Sequence, residues 1–343
     1  MTVSRFLKAC RREPVDATPV WFMRQAGRSF EAYRRLRERY EILTLAKTPE
    51  LCAEVTLMPV DALGVDGAVL FADIVLPLEP MGIDVAIVPD VGPVIGRPIR
   101  SDSDVARLRV VEPAEEVGFV MDAIRIVRRE LAGRAAVIGF SGGPFTLACY
   151  LVEGRPSRDY TTTKALMYRD PATWHALLEK LAEVVARYLE AQIAAGAQIV
   201  QLFESWVGIL SSLDYETYVA PHVRPIFERI RATGTPAIHF GTGTAGLLEQ
   251  LVAAGGDLIG LDARIPLDVG WARIGPGRGV QGNLEPARLL AGWEATEAGA
   301  RDVLLRAAGR PGHIFNLGHG VLPETDPELL RRLVELIHTE TRR

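Results

Sequence analysis

Two arginines four residues apart, in the segment WFMRQAGR, are the first residues in this chain that suggest chemistry. Arg24 and Arg28 directly follow an apolar run, and Gly27 between them lets the backbone bend. Two guanidinium groups held in a concave site are suited to binding carboxylates or phosphates. The arginines that follow are predicted to form a solvated helix face: Arg34, Arg35, Arg37 and Arg39.

Two more polar residues stand among apolar or small neighbours. Asp73 lies in VLFADIVLP, where a carboxylate must be paired, protonated or functional, and nearby arginines would keep it ionised. His319 lies between two glycines in FNLGHGV, which would let a ligand approach closely. A hydrogen-bonded structural histidine is an equally good interpretation of His319.

Other polar residues at the ends of apolar runs have simpler explanations. Asp262 and Asn283 are interpreted as helix caps or loop braces, and helix capping fits Ser141 and Ser205 comparably well. The segment GTGTAG at 241–246 matches a dinucleotide-binding fingerprint. Because it follows four βα units that a simple dinucleotide-binding domain would not place before it, we interpret it as a strand-to-helix turn.

Eight short apolar runs are available to position these residues. They lie at 19–23, 68–71, 136–140, 199–203, 237–240, 258–261, 279–282 and 314–317. Three- and four-residue spacing of apolar side chains predicts helices between them, notably over 171–195, 215–232 and 326–341. Residues 76–98, rich in Pro, Gly and Val, fit no βα unit and are predicted to form a short hairpin.

Strands that alternate with helices pair in parallel through right-handed crossovers. Eight such units favour a closed (β/α)8 TIM barrel, formed as a single domain over residues 1–343, because closure leaves no edge strand exposed. The carboxyl ends of barrel strands carry the chemistry in this fold, and the polar residues above follow the apolar runs.

The composition excludes several classes of function. The 343 residues carry 39 Lys+Arg and 43 Asp+Glu, a net charge of −4 that indicates no nucleic-acid-binding surface. Residues 1–40 nevertheless hold ten Lys+Arg against four Asp+Glu, a basic segment on an acidic chain.

The sequence also predicts where the protein resides. No apolar run reaches the roughly 18 residues of a membrane helix, and the first residues lack a secretory apolar core. The three cysteines are widely spaced and lack metal-ligand patterns: Cys10, Cys52 and Cys149. We therefore expect a cytoplasmic protein without disulfides, metal or membrane contact.

Six segments together resemble the uroporphyrinogen decarboxylase family of haem biosynthesis. They are PVWFMRQAGR, VLFADI, GFSGGPFTLACYLVEG, QLFESWVG, GVQGNLEP and FNLGHGVLPETDPE, and they run in order from residue 19 to residue 328. The resemblance implies a single (β/α)8 barrel, a homodimer, and removal of the four acetate carboxyls of uroporphyrinogen without a cofactor, giving coproporphyrinogen.

The resemblance also assigns site residues. It places substrate-carboxylate arginines at Arg24 and Arg28 and a central aspartate, which meets the pyrrole NH groups, at Asp73. These three are predicted to be catalytic. Substrate contacts are predicted for them and for the remaining family positions: Gln25, Ala26, Gly27, Phe140, Tyr150, Ser205 and His319.

The chain departs from the family pattern at two places, and two other functions remain open. Glu31-Ala32 replaces a common Pro-Glu pair after the arginine loop, and Ala263 stands where tryptophan is frequent. One alternative is a zinc-dependent corrinoid or thiol methyltransferase of a related barrel family, which needs a cysteine at the last strand. The other is a catalytically silent tetrapyrrole-binding protein.

Overall fold

A curled parallel sheet of seven strands forms the wall of a barrel. The computed structural model describes residues 4–88 and 91–343. The sheet order is β1, β4, β5, β6, β7, β8, β9, with β2 and β3 pairing separately as an antiparallel hairpin. The strands are β1 Gly67–Val69, β2 Val85–Val88, β3 Gly92–Ile95, β4 Ala136–Gly142, β5 Ile199–Glu204, β6 Ala237–Gly241, β7 Leu258–Gly260, β8 Gly279–Gln281 and β9 His313–Ile314.

The helices lie between and around these strands. They are α1 Arg5–Cys10, α2 Glu31–Arg39, α3 Ile42–Lys47, α4 Pro49–Leu63, α5 Asp102–Ala106, α6 Pro113–Glu116, α7 Gly118–Leu131, α8 Pro144–Glu153, α9 Thr161–Arg169, α10 Pro171–Ala195, α11 Ser212–Tyr218, α12 Ala220–Ala232, α13 Leu248–Ala254, α14 Leu267–Ile274, α15 Ala287–Leu290, α16 Trp293–Ala307 and α17 Pro327–Glu340. Each neighbouring pair of barrel strands is parallel, as crossovers of this kind require.

The first apolar run closes the barrel, although it forms only a bridge and not a full strand. Val20 pairs in parallel with Phe315, whose backbone NH donates to the Pro19 carbonyl at 2.9 Å. On its other side, the Asp66 NH donates to the Val20 carbonyl at 2.8 Å, just before β1 begins. The predicted (β/α)8 barrel is therefore confirmed.

The carboxylate of Asp66 explains why the first run is so short. Its Oδ2 accepts the Val20 NH at 2.8 Å, a hydrogen bond that a backbone carbonyl would supply in a longer strand. The same carboxylate contacts His338 Nε2 at 2.7 Å on α17 and Arg5 Nη1 at 3.3 Å on α1. One side chain thus joins the barrel seam to the first and last helices.

The predicted helix boundaries agree with the structure except at one break. α10 covers the predicted 171–195, with Asp170 accepting from the Thr173 NH at 3.1 Å as its N-cap, and α17 covers most of 326–341. The predicted helix over 215–232 is instead divided between α11 and α12. Pro221, in the first turn of α12, has no NH to continue the preceding helix.

A polar network occupies the barrel interior beneath its carboxyl end. Trp21 Nε1 donates to Gln281 Oε1 at 2.8 Å, and Gln281 Nε2 donates to Gln201 Oε1 at 3.0 Å. Gln201 Nε2 in turn lies 3.7 Å from the sulfur of Met23. Because these groups are buried and satisfy one another, they fix the register of the first run against β5 and β8.

Helix α8 is held at both of its ends. The predicted hairpin over 76–98 is confirmed as β2 and β3, and Ile95 and Ile99 donate backbone hydrogen bonds to the carbonyls of Gly154 and Leu151. At the other end, the Thr146 hydroxyl donates to Glu204 Oε2 at 3.1 Å.

The Glu204 carboxyl lies in the layer between β5 and α8. It is fully buried against Gly143, where a β-carbon would overlap it. Burial raises the pKa of Glu204 to about 8, although hydrogen bonds from Thr146 oppose this rise.

We expect Asp66→Ala to lower the free energy of unfolding by about 3 kcal/mol, because the buried Val20 NH loses its acceptor and the contacts of Asp66 with Arg5 and His338 disappear. Urea unfolding measures this loss. The control is Asp61→Ala, whose carboxylate forms an exposed ion pair with Arg134, and its cost should stay below about 0.5 kcal/mol. Equal losses in the two variants would contradict the role of Asp66 in closure.

We expect the free energy of unfolding of Glu204→Gln to rise relative to that of wild type as the pH increases from about 5 to 8. Folded Glu204 keeps a proton that the unfolded chain has already released in this window, so wild-type stability falls with pH, by up to about 1.4 kcal/mol per pH unit. Urea unfolding at several pH values tests this. Glu249→Gln is the control. The hydrogen bond from Arg273 lowers the pKa of Glu249, so the contribution of Glu249 to stability changes with pH in the opposite direction. Parallel pH profiles for wild type and Glu204→Gln would contradict the prediction.

Candidate active site

Arg24 lies at the carboxyl end of the barrel, on the loop that follows the Val20 bridge. Residues 21–23 are buried, whereas Arg24 is exposed and has a left-handed backbone with a φ of 57°. Its side chain passes directly over Gly320, where a β-carbon would lie 2.5 Å from Arg24 Cδ. The glycine after His319 therefore makes room for the arginine.

Gln25 fastens this loop to the barrel. Its side chain is fully buried, with Oε1 accepting the Phe22 NH at 3.0 Å and Nε2 donating to the Gly67 carbonyl at 2.9 Å. The polar atoms of the Gln25 side chain are thus engaged within the protein. Ala26 and Gly27 are half-buried beside it. Substrate contacts of these three residues stay a prediction.

The end of the arginine loop is held by Arg34, which is exposed on α2 as predicted but also hydrogen-bonds the loop backbone. Arg34 Nη1 donates to the carbonyls of Arg28 at 2.8 Å and Ser29 at 2.9 Å. Helix α2 begins at Glu31, so the departure at Glu31-Ala32 falls in its first turn. Arg28 itself is exposed and lies three residues before α2.

Asp73 follows β1 and is partly exposed at the same end of the barrel. Its Oδ1 accepts the Val75 NH at 3.0 Å. Burial raises the pKa of Asp73, and the Val75 hydrogen bond and the charge of Arg24 offset only part of this rise. The ionised carboxylate is therefore poorly solvated and is suited to accept further NH donors.

Tyr150 projects from α8 toward these two residues and is buried. Burial and the negative charge of Asp73 raise the pKa of Tyr150 to about 12, so its hydroxyl keeps its proton at neutral pH. The Tyr150 ring packs edge-on against Trp206, with 6.2 Å between centroids. Ser205 precedes Trp206 directly after β5, and its carbonyl accepts from the Thr242 hydroxyl.

His319 follows the last strand and is exposed in a strongly charged environment. Desolvation of the ring lowers its pKa, and the charge of Arg24 lowers it further. Asp262 and Glu285 act in the opposite direction, and Arg264 adds to the effect of Arg24. The neutral imidazole is therefore favoured, and it can donate one hydrogen bond and accept another.

The charge of Arg24 acts on Asp73, Tyr150 and His319 at once. These residues come from the loop after the Val20 bridge, the loop after β1, helix α8 and the loop after β9. The structure therefore brings together one cation, one carboxylate, one phenol and one imidazole from distant parts of the chain.

A row of aromatic rings runs across the neighbouring strands β4, β5 and β6. The Phe140 and Phe203 rings meet edge-on at 5.5 Å between centroids, and Phe203 meets Phe240 at 5.8 Å. Phe203 was not among the predicted site residues. Its two-residue offset from the inward-facing Gln201 on β5 is the signal that could have identified it.

Asp262 and Asn283 are confirmed as loop braces. The Asp262 carboxylate accepts the backbone NH groups of Gly243 and Arg264. Asn283 Nδ2 donates to the carbonyls of Asp262 at 2.7 Å and Ile265 at 2.8 Å.

The segment at 241–246 is likewise confirmed as a turn from β6 into the 3₁₀ helix Thr244–Gly246, which precedes α13.

The second departure from the family pattern lies beside His319. Gly318 packs so closely on Ala263 that a β-carbon on Gly318 would overlap the Ala263 backbone. The small residue at position 263 therefore lies directly against the backbone that leads to His319.

Within residues 4–88 and 91–343, no three His, Cys, Asp or Glu side chains lie close enough together to hold a metal ion. The cysteines Cys10, Cys52 and Cys149 are buried and unpaired. Among the helices of the described chain, none has the length and apolar character needed to span a bilayer.

Comparison with known proteins identifies the family. Residues 1–340 match the sequence model described as uroporphyrinogen decarboxylase (URO-D). A uroporphyrinogen decarboxylase of Sorangium cellulosum is 56% identical over 335 residues, covering 98% of this chain and 96% of the relative. One of Thermus thermophilus is 54% identical over 332 residues, covering 96% of each chain.

A solved structure supports the fold independently. A methyltransferase from Methanosarcina mazei superposes with a TM-score of 0.83, covering 98% of this chain and 97% of the other. At 20% sequence identity this similarity shows the fold alone. The family is shown instead by the sequence matches over nearly the whole chain: this chain belongs to the uroporphyrinogen decarboxylase family of carboxy-lyases.

Proposed function

We propose that this chain removes the four acetate carboxyls of uroporphyrinogen III as carbon dioxide, leaving methyl groups and giving coproporphyrinogen III, without a metal or organic cofactor. The observation that carries the proposal is the position of Arg24, Asp73 and His319 on loops at the carboxyl end of the barrel, with Arg24 packed against Gly320 beside His319. Family membership supports the same substrate.

The chemistry of the substrate matches this set of residues. Uroporphyrinogen carries eight carboxylates at its rim and four pyrrole NH donors at its centre. Arg24 and Arg28 supply cations for the rim, and Asp73 supplies an acceptor for the centre. Phe140 and Phe203 offer an apolar wall for the macrocycle.

The reaction needs a group that temporarily accepts the electron pair left when carbon dioxide departs. Protonation of a ring carbon makes one pyrrole cationic, and breaking the bond between the acetate methylene and its carboxylate then releases carbon dioxide and leaves the electron pair in the ring. A second proton, delivered to the exocyclic carbon, forms the methyl group. The proton first added to the ring carbon then leaves and restores the neutral aromatic pyrrole, so each acetate takes up one proton in total. No oxidant or reductant is consumed.

Asp73 is proposed to stabilise the cationic pyrrole through its negative charge. Its carboxylate is already partly desolvated, so pyrrole NH groups replace solvent without a large reorganisation of the site. Arginine is too weak an acid to donate the proton readily, so Arg24 or Arg28 positions the departing carboxylate while water or a substrate carboxyl carries the proton.

The remaining predicted contacts serve binding. Tyr150 donates a hydrogen bond from its protonated hydroxyl, and Ser205 and His319 hydrogen-bond peripheral carboxylates. The arginine loop, residues 24–28, contacts the substrate and is held in place by Gln25, Ala26 and Gly27.

We further propose a cytoplasmic homodimer of single-domain subunits, each spanning 1–343, with no nucleic-acid or membrane partner. The family model's extent over residues 1–340 supports the single domain. The net charge of −4 supports the absence of a nucleic-acid partner.

The two alternative functions are not favoured. The methyltransferase similarity rests on the fold at 20% identity, whereas the relatives that cover almost the whole chain at over half identity are named decarboxylases. A silent tetrapyrrole-binding protein would not need to keep Asp73 together with both arginines.

Anaerobic incubation with uroporphyrinogen III in the presence of EDTA tests the proposed function, with products separated by chromatography. We expect coproporphyrinogen III to accumulate. Tight binding without product would favour the silent carrier. Activity that is lost in EDTA and restored by zinc would contradict cofactor independence.

We expect Asp73→Asn to lower kcat on the order of 10²–10³-fold, because it keeps the side-chain shape and removes the charge that stabilises the pyrrole cation. Steady-state kinetics measures the change. Asp122→Asn, the same substitution on an exposed carboxylate of α7, serves as the control. Wild-type kcat in Asp73→Asn would overturn the assignment.

We expect Tyr150→Phe and His319→Ala to raise KM by about tenfold each and to change kcat much less, because each removes a hydrogen bond to a peripheral carboxylate. Tyr168→Phe, which removes an exposed phenol bonded to Asp214, should leave both constants unchanged. A thousandfold loss of kcat at unchanged KM in His319→Ala would place this residue in the chemistry instead.

A further inference from the structure

A polar cavity lies at the amino-terminal face of the barrel, opposite the candidate active site. Its volume is about 370 Å³. Pro236, Asp257 and Arg278 line it, and each immediately precedes a strand, β6, β7 and β8 respectively. Because the candidate active site lies at the carboxyl ends of the strands, the two sites are separated by the length of the barrel.

Four arginines and one aspartate line this cavity, and their formal charges sum to +3. Arg11 and Arg12 come from the end of α1, Arg231 from the last turn of α12, and Arg278 from the residue before β8. Asp257 is the acidic member of the lining, and its Oδ2 already accepts the NH of the first residue of β6 at 2.9 Å. The carboxylate is therefore committed to the barrel backbone.

The position of Arg12 is set by its surroundings. Its backbone is left-handed, with a φ of 58°, and its Nη1 donates to the Pro276 carbonyl at 2.7 Å. Its side chain crosses Gly312, where a β-carbon would lie 2.8 Å from Arg12 Cγ. The arrangement repeats the way in which Arg24 crosses Gly320 at the opposite face.

The four arginines of this lining differ from the arginines that form ion pairs elsewhere in the chain. Arg229, for example, pairs with Glu183 and Glu190. In the part of the chain that the structure describes, Arg11, Arg12, Arg231 and Arg278 form no ion pair with a carboxylate. Part of the basic segment over residues 1–40 thus faces away from the candidate active site.

The chemistry of the lining indicates the class of ligand. Guanidinium groups match the oxygens of phosphate in bidentate geometry, and a net charge of +3 favours an anion that carries several charges. A concave cavity of this size falls in the range that holds small molecules, and a nucleic acid or protein surface would need a larger and flatter patch. A small molecule with phosphoryl groups therefore fits this cavity better than a nucleic acid or a protein surface does.

We propose that this cavity, the arginine cavity, is a binding site for a small multivalent phosphate-type anion, independent of the decarboxylase site. The ligand would occupy the space between Arg12 and Arg278 on one side and Arg231 on the other.

Isothermal titration of the full-length protein with inorganic pyrophosphate at low ionic strength tests the proposal. We expect one saturable site per chain whose affinity falls as salt is added. Arg231→Gln and Arg278→Gln should each weaken binding about tenfold or more, since each removes a charge-assisted contact. Arg125→Gln, the same change at an ion-paired arginine of α7, should not alter the affinity.

Asp257→Asn supplies a test of opposite sign, because it removes the negative charge while keeping an oxygen that can accept from Ala237. This variant should bind pyrophosphate more tightly than wild type. No saturable binding, or binding that survives in the Arg231→Gln/Arg278→Gln double variant, would overturn the proposal. Survival in the double variant would place pyrophosphate at other cations, Arg24 and Arg28 included. Decarboxylation of uroporphyrinogen should be unchanged in all these variants, so the two proposals fail separately.

Discussion

The closure of the barrel at Val20 is the constraint on which the candidate site depends. A single carboxylate, Asp66, takes the place of a strand partner for the Val20 NH and joins the seam to α1 and α17. Three residues beyond the bridge the buried run ends, and Arg24 emerges at the barrel mouth. If the seam opened, Arg24 would lose its fixed position relative to Asp73 and His319.

Two buried or half-buried carboxylates with raised pKa values serve different purposes. Glu204 faces away from the barrel interior, where its Oε2 accepts from Thr146 and anchors the helix that carries Tyr150. Asp73 faces the mouth, where Arg24 compensates only part of its desolvation. Glu204 is therefore a neutral structural group, whereas the Asp73 carboxylate can accept hydrogen bonds from a ligand.

Much of the architecture could be predicted from the sequence because it is encoded locally. Seven apolar runs, the hairpin within 76–98 and the helix over 171–195 each follow from short-range periodicity and turn residues. The break between α11 and α12 was also readable, since Pro221 lies within the predicted helix. The reduction of the first run to a bridge was not, because it depends on Asp66, which is distant in sequence.

The site was predictable only where residue type and position coincided. Arg24, Asp73 and His319 stand out because charged side chains follow buried runs. Gln25 carries an ordinary polar side chain, and only the structure reveals that it is buried in loop-fixing hydrogen bonds. Arg34 is exposed like its neighbours, and only the structure shows that it also hydrogen-bonds the loop backbone. Phe203 looked like any core residue, since tertiary contacts decide its place.

The central claim is that Asp73 meets the centre of the macrocycle while arginines meet its rim. A crystal structure of the anaerobic complex with coproporphyrinogen tests this most directly. The account predicts the pyrrole nitrogens within hydrogen-bond distance of the Asp73 carboxylate, with Arg24 and Arg28 at propionate groups. A macrocycle centred elsewhere, with the Asp73 carboxylate still hydrogen-bonded only to the Val75 NH, would contradict the account.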